Sequence, residues 1–188
     1  MIVRDIFKTG VAEIKLNLDL NKLKQFCLDY QINNQGRNRS NPTGYQSHDV
    51  LNFKETKELV DEIKKYSGLF LKNNLLNVSN YTLNHMWFNI NYYKDFNTTH
   101  CHSYNKVSGV FYVSTPKNCG SIIFKNPAPI ENFLPLNDLT EDYNNYNSTS
   151  WYLPALENYL YIFPSWLYHH VEPNLSKKPR ISFSFNVN

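Results

Sequence analysis

Three histidines are spaced so that they could share one metal ion. His100-Cys101-His102 puts two imidazoles at i and i+2. In an extended chain such residues point the same way, with Cα atoms about 6.5 to 7 Å apart. Imidazole nitrogens bind a transition metal at about 2.0 to 2.2 Å, so both rings can converge on one ion. A third histidine follows 67 residues later, in Phe163-Pro164-Ser165-Trp166-Leu167-Tyr168-His169-His170-Val171. Neighbours along a strand point to opposite faces, so one of His169 and His170 can join the pair, not both. Open positions on such a metal suit oxygen or substrate binding. A lone HxH is weak evidence; the third histidine in the same half of the chain gives it weight. His48 and His85 read as ordinary polar residues.

The elements that must position these groups are short and mostly extended. Helices are expected first. Residues 21–33 carry Leu23, Phe26, Cys27 and Tyr30 near the spacing of a helix face, and residues 54–76 carry Leu59, Ile63, Tyr66 and Phe70. A polar loop with Gly36, Pro42 and Gly44 as breakers is expected between Asn33 and Asp49. Beyond Asn77, β-branched and aromatic runs recur at 81–93, 107–114, 121–125, 159–163 and 180–187, punctuated by turn residues. The expected fold is α+β and mainly β: an antiparallel sandwich or barrel-like core with N-terminal helices packed outside. Ala128 to Ser150 shows no period and is expected to be a long functional loop.

Two strands alternate tellingly. Ile181, Phe183, Phe185 and Val187 share one face, with Arg180, Ser182, Ser184 and Asn186 on the other. Met86, Phe88, Ile90 and Tyr92 likewise oppose His85, Trp87, Asn89, Asn91 and Tyr93. The apolar faces are expected under the helices and the polar ones at a barrel mouth.

Length and composition bound the function. The chain has 188 residues, 41% hydrophobic and 15% aromatic, enough for a core and about one domain, residues 1–188. A net charge of +3 with scattered Lys and Arg gives no nucleic-acid signature. No apolar run approaches the roughly 18 to 20 residues that cross a bilayer. Met1-Ile2-Val3-Arg4-Asp5 lacks a signal-peptide pattern, and Cys27, Cys101 and Cys119 are odd in number and far apart, so a cytoplasmic protein with reduced thiols is expected.

From about Gly44 onward the chain resembles the iron(II)- and 2-oxoglutarate-dependent oxygenases, specifically a bacterial and phage subfamily similar in its distal stretch to the prolyl-hydroxylase branch. The residues carrying the resemblance are Gly44-Tyr45-Gln46-Ser47, Trp87-Phe88-Asn89-Ile90-Asn91, His100-x-His102, Ser108-Gly109-Val110-Phe111-Tyr112-Val113, Gly120-Ser121-Ile122-Ile123-Phe124, Phe163 through His169, and Arg180-Ile181-Ser182. The resemblance implies a double-stranded β-helix, a jelly roll like that of the cupins, holding Fe(II) and 2-oxoglutarate and using O2. It implies His100 and His169 as metal ligands, His169 rather than His170 because the pattern puts the ligand two residues before Val171. His102 stands where most of these oxygenases have Asp or Glu, so the site is one negative charge short, although histidine occurs here in the subfamily. Arg180 matches the partner of the far carboxylate of 2-oxoglutarate, with Ser182 and Tyr112 beside it and Asn89 and Asn91 as further pocket residues.

The implied activity is that of a dioxygenase, a hydroxylase that turns 2-oxoglutarate and O2 into succinate and CO2 while oxidising a peptide or small molecule. A cupin-type metal protein or isomerase shares the jelly roll and the HxH but usually adds a nearby Glu, and Ser103 to Val107 contains no acid. A non-enzymatic jelly-roll domain is the other alternative, since a fold alone proves no activity. The loops 33–49 and 128–150 are expected to set the substrate.

Overall fold

The computed structural model of the chain describes residues 1, 2, 4, 6–75, 80–128 and 142–188. Among the described residues, ten strands and two α-helices follow in order: β1 (Ala12–Lys15), α1 (Leu20–Asn33), β2 (Tyr45–Gln46), α2 (Lys57–Phe70), β3 (Leu83–Asn91), β4 (Asn97–His100), β5 (Val107–Ser114), β6 (Ser121–Lys125), β7 (Ser150–Pro154), β8 (Tyr159–Pro164), β9 (His169–Val171) and β10 (Arg180–Val187). They form two antiparallel sheets, a six-stranded one in the order β1-β8-β5-β10-β3-β2 and a four-stranded one in the order β4-β9-β6-β7. This is the double-stranded β-helix that the sequence resemblance implies.

The helices start where the chemistry allows. Asp19 caps α1, its carboxylate accepting the Lys22 amide at 3.0 Å, and Leu23 and Cys27 turn one buried stripe inward. In α2 the buried set is Leu59, Val60, Ile63, Ser67 and Phe70. The single helix expected over 54–76 is three pieces: a 3-10 turn at Lys54–Thr56, α2, and a π-helical turn at Leu71–Leu75. Thr56 explains the first break, because its hydroxyl bonds the carbonyls of Val50 and Phe53 and draws the chain into a tighter turn.

The apolar faces behave as their alternation requires. Met86, Phe88, Ile90, Ile181, Phe183 and Phe185 are fully buried against Leu23, Cys27, Leu59 and Ile63, so one core lies between the larger sheet and the helices. A second core lies between the sheets, from Val110, Tyr112, Tyr161 and Phe163 facing Ile122, Phe124 and Leu167. Gly109 is required where the sheet meets the first core. A Cβ there would collide with the Phe185 ring and the Tyr161 carbonyl, so only glycine lets the ring lie across β5.

The polar faces turn into the barrel: Arg180, Ser182, Asn186, Asn89 and Asn91 are buried, Trp87 and Ser184 are half-buried, and His85 is exposed at the end of the face. The polar segment 33–49 holds the short strand β2, and 81–93 trims to β3. Of the long loop expected over 128–150, residues 129–141 lie outside the described residues, and Ser150 already belongs to β7.

Candidate metal and cosubstrate site

The smaller sheet brings the histidines together. His100 closes β4 and His169 opens β9, and they are register partners in that antiparallel pair. Their ring centroids are 4.5 Å apart. His102, two residues past the end of β4, folds back so that its ring lies 4.9 Å from His100 and 5.3 Å from His169, stacked on the latter. One ligand atom from each histidine lies within 4.8 Å of those of the other two, a set that can hold one ion. His170 points to the other side of the sheet and takes no part in the cluster. Trp87, from β3, closes over His102 at 5.9 Å.

Tautomers are set by the backbone. His100 Nδ1 lies 2.7 Å from the Thr98 carbonyl and His169 Nδ1 lies 2.9 Å from the Leu167 carbonyl. A carbonyl only accepts, so each Nδ1 must carry the proton and each Nε2 keeps its lone pair for a metal. Burial also keeps the rings neutral. It lowers the pKa of His102 to about 3 and that of His169 to about 4, with neighbouring histidines adding to the shift, and it lowers that of His100 against the opposing Thr98 bond. Neutral imidazole is the form that ligates. No Asp or Glu joins this cluster among the described residues.

The larger sheet supplies a second set of groups facing the same interior. Arg180 opens β10 and is 1% exposed. Its Nη1 donates to the carbonyls of Cys119 and Glu172, which fixes the guanidinium, while Nη2 is buried with no partner. Tyr112, opposite Ser182 across β5 and β10, is equally buried, and its hydroxyl also lacks a partner. Burial pushes the Tyr112 pKa upward, so the hydroxyl stays protonated and can donate. Unpaired donors on a buried cation and a buried phenol are costly unless an acceptor arrives. A carboxylate is the acceptor that matches a guanidinium edge plus a neighbouring O–H. Asn89 faces Ser182 across β3 and β10, and Asn91 faces Arg180, so all the expected pocket residues share this face.

Three supporting residues received no role from the sequence, although Gln46 stands in one of the motifs that carry the resemblance. Asn41, 1% exposed, organises the segment before β2; Gln46 lies inside the barrel opposite Asn89; and Cys119 gives Arg180 its carbonyl. Gly44 and Gly120 flank two of them and are the signals available in sequence, since both mark tight backbone approaches. His85 and Asp49 meet at the surface, apart from the site. All three cysteines are free thiols. A surface cavity of about 540 Å3 lined by Thr99, Lys125, Trp166 and Tyr168 adjoins the triad's chain neighbours, whose side chains alternate away from it. No helix among the described residues is long and apolar enough to cross a membrane.

Comparison with known proteins agrees with this geometry. Residues 85–186, more than half of the chain, match the model of a family described as "Putative 2OG-Fe(II) oxygenase". The chain belongs to that family, whose cofactor is Fe(II) and whose cosubstrate is 2-oxoglutarate. Among solved structures it is similar to a prolyl-4-hydroxylase from Pseudomonas putida, at 12% identity and a TM-score of 0.65 over 95% of this chain and 92% of that one. It is similar to HygX from Streptomyces hygroscopicus, crystallised with nickel and 2-oxoglutarate, at 13% identity and a TM-score of 0.67 over 96% and 83% of the two chains. SnoK, an alpha-ketoglutarate-dependent carbocyclase from nogalamycin biosynthesis, gives 13% identity and a TM-score of 0.68 over 95% and 80%. No curated protein sequence matches significantly.

Proposed function

We propose that the protein is a hydroxylase that oxidises a peptide or small-molecule substrate while 2-oxoglutarate is converted to succinate and CO2. The observation that carries this reading is the pairing of two half-built sites in one interior. Three neutral histidines converge with no fourth protein ligand among the described residues, and two buried donors, Arg180 Nη2 and Tyr112 Oη, have no acceptor. The donor set suits Fe(II) and the unpaired donors suit a carboxylate, so the residues present fit both groups of the family.

Fe(II), when bound, supplies the activation of O2 that side chains cannot provide. The chain does the rest. His100 and His169 would offer Nε2 from rings fixed through their Nδ1 bonds, with His102 as third donor. Arg180, held by the carbonyls of Cys119 and Glu172, would take the far carboxylate of 2-oxoglutarate, with Tyr112 and Ser182 beside it. Phe124 and Phe163 pack against His169 and would exclude water from that side of a bound metal. Asn105 accepts the Ser165 hydroxyl at its carbonyl and His102 donates its amide to Ser165, which pins the segment carrying His102.

The test is succinate formation. Reconstituted with Fe(II), the protein should convert 2-oxoglutarate to succinate with O2 present, slowly without substrate, followed by mass spectrometry. Metal-loaded, folded protein that neither binds nor consumes 2-oxoglutarate would return the reading to a cupin-type or non-enzymatic jelly roll. The same assay with candidate substrates decides hydroxylation by the mass gain of one oxygen atom, as against ring closure or epimerisation.

A further inference from the structure

The polar face shared by β3 and β10 has a closed end and an open one. Arg180 pairs with Asn91, Ser182 with Asn89, Ser184 with Trp87, and Asn186 with His85. Arg180 and Asn91 are 1% exposed, Trp87 and Ser184 are half-buried, and the His85 side chain is 65% exposed. The triad stands toward the open end. Trp87 reaches His102, and Phe163, which packs on His169, pairs with Ser108 on the rung of Asn186 and His85. The rungs of Arg180 and His85 lie about 20 Å apart along the strand. With 2-oxoglutarate in the closed end, a second molecule reaches the metal from the His85 end.

On that outer rung Ser108 and Asn186 satisfy each other, the Ser108 hydroxyl donating to Asn186 Oδ1 at 2.7 Å. His85 is held differently, by Asp49. The segment after β2 runs along β3 through the amides of Ser47 and Val50, which donate to the carbonyls of Phe88 and Met86, and this brings Asp49 beside His85. Asp49 Oδ1 accepts the amides of Leu51 at 2.9 Å and Met86 at 3.3 Å, which fixes the carboxylate. Its Oδ2 lies 3.3 Å from His85 Nδ1. An ionised carboxylate only accepts, so Nδ1 carries the proton and the neutral ring keeps its lone pair at Nε2. Among the described residues that Nε2 has no partner. An exposed pair of this kind adds little to stability. What it sets is orientation: an acceptor held one rung outward from the Trp87 indole.

We propose that Trp87 and His85 form the substrate subsite at the mouth of the barrel and take a ring that carries a hydroxyl, its face on the indole and its O–H donated to His85 Nε2; this rests on the oxygenase reading above. Residues at i and i+2 on one strand face stand about 6.5 to 7 Å apart. That is the span of a six-membered ring plus the hydrogen bond of its hydroxyl. An anionic group fits poorly, because it offers acceptors only and repeats the charge of Asp49.

The experiment uses oxygen-free protein loaded with Zn(II) and 2-oxoglutarate at about pH 8, above the ordinary imidazole range. It is titrated with phenol, anisole or cyclohexanol. The His85 Nε2 signal is followed by nitrogen-15 NMR and assigned by its loss in His85→Phe. Phenol should shift that signal and bind about fivefold more tightly than anisole, the difference of one modest hydrogen bond. His85→Phe should erase the preference and keep 2-oxoglutarate affinity, by calorimetry, within about threefold of wild type. Trp87→Leu, with its metal content checked, should weaken phenol and anisole alike by roughly two- to tenfold. Cyclohexanol binding above phenol supports the site with a saturated ring as its ligand, and the reverse order supports it with an aromatic one. Equal binding of phenol and anisole overturns the proposal, as does no binding of any of the three probes. A preference that survives His85→Phe overturns it in favour of a hydroxyl bound at the metal. Failure of 2-oxoglutarate to bind the metal-loaded wild type would sink the oxygenase reading, a result separate from the phenol comparison.

Discussion

His100 and His169 face each other across β4 and β9, and each ring is tied through Nδ1 to the carbonyl two residues before it, Thr98 and Leu167. The same local device on two strands aims two Nε2 lone pairs at one point. It also explains why His170, one residue along β9, lies outside the cluster. Protein reconstituted anaerobically should take up one equivalent of Fe(II). His100→Ala or His169→Ala should abolish uptake, measured as metal per chain by elemental analysis, and His170→Ala should leave it at one. A damaging His170→Ala beside a normal His169→Ala would reverse the assignment.

As third ligand His102 would supply a neutral donor where a carboxylate would bring charge. His102→Asp should therefore tighten Fe(II), on the order of tenfold for one added charge beside the ion in a partly buried site. Competition with a chelating dye measures it. Unchanged affinity would mean that His102 does not ligate.

Tyr112 and Arg180 should respond differently, because one is an orphan and the other a brace. The Tyr112 hydroxyl has no partner, so Tyr112→Phe should leave the metal-free protein equally stable or more so in urea. It should still weaken 2-oxoglutarate binding, by about 1 kcal/mol or roughly fivefold. Arg180→Ala removes a charge-assisted contact of about 1.5 to 3 kcal/mol, a loss of roughly 10- to 150-fold. It also strips the carbonyls of Cys119 and Glu172 of their donor, so its stability should fall. Arg180→Lys should recover part of the affinity, since an ammonium lacks the planar fork.

Gly109→Ala tests the packing of β5. The added methyl meets the Phe185 ring and the Tyr161 backbone carbonyl, and a carbonyl in a ladder cannot swing away. A cost of about 2 to 3 kcal/mol, or roughly 4 to 12 °C in Tm, is expected in a thermal melt. A melt within 1 °C of wild type, give or take about the error of the method, would contradict the packing of that strand.

What the sequence made legible is what alternation and burial dictate together. β5 and β10 stand where their runs of Val, Phe and Ile put them, 107–114 and 180–187, because one face of each must be buried. β4 and β9 were not legible. Asn97-Thr98-Thr99-His100 and His169-His170-Val171 are short and polar; the first is a strand through its pairing with the second, and the second through its pairing with both β4 and β6. β2 is two residues long and exists through its pairing with β3. The site followed the same division. The spacing of His100 and His102 was visible, whereas the choice of His169 came from family resemblance. Gln46 pairs across strands with Asn89, and Asn41 bonds Asn91 at 3.2 Å, partners dozens of residues away that no local pattern encodes.

The most direct test of the central claim is anaerobic calorimetric titration of 2-oxoglutarate into wild-type protein with and without Fe(II), alongside His100→Ala. The expected result is binding at one equivalent in the metal-loaded wild type and a large loss of affinity in both the metal-free protein and the variant. Binding that is indifferent to the metal, or none in a folded and fully loaded wild type, would contradict the assignment of one shared iron and 2-oxoglutarate site to this barrel.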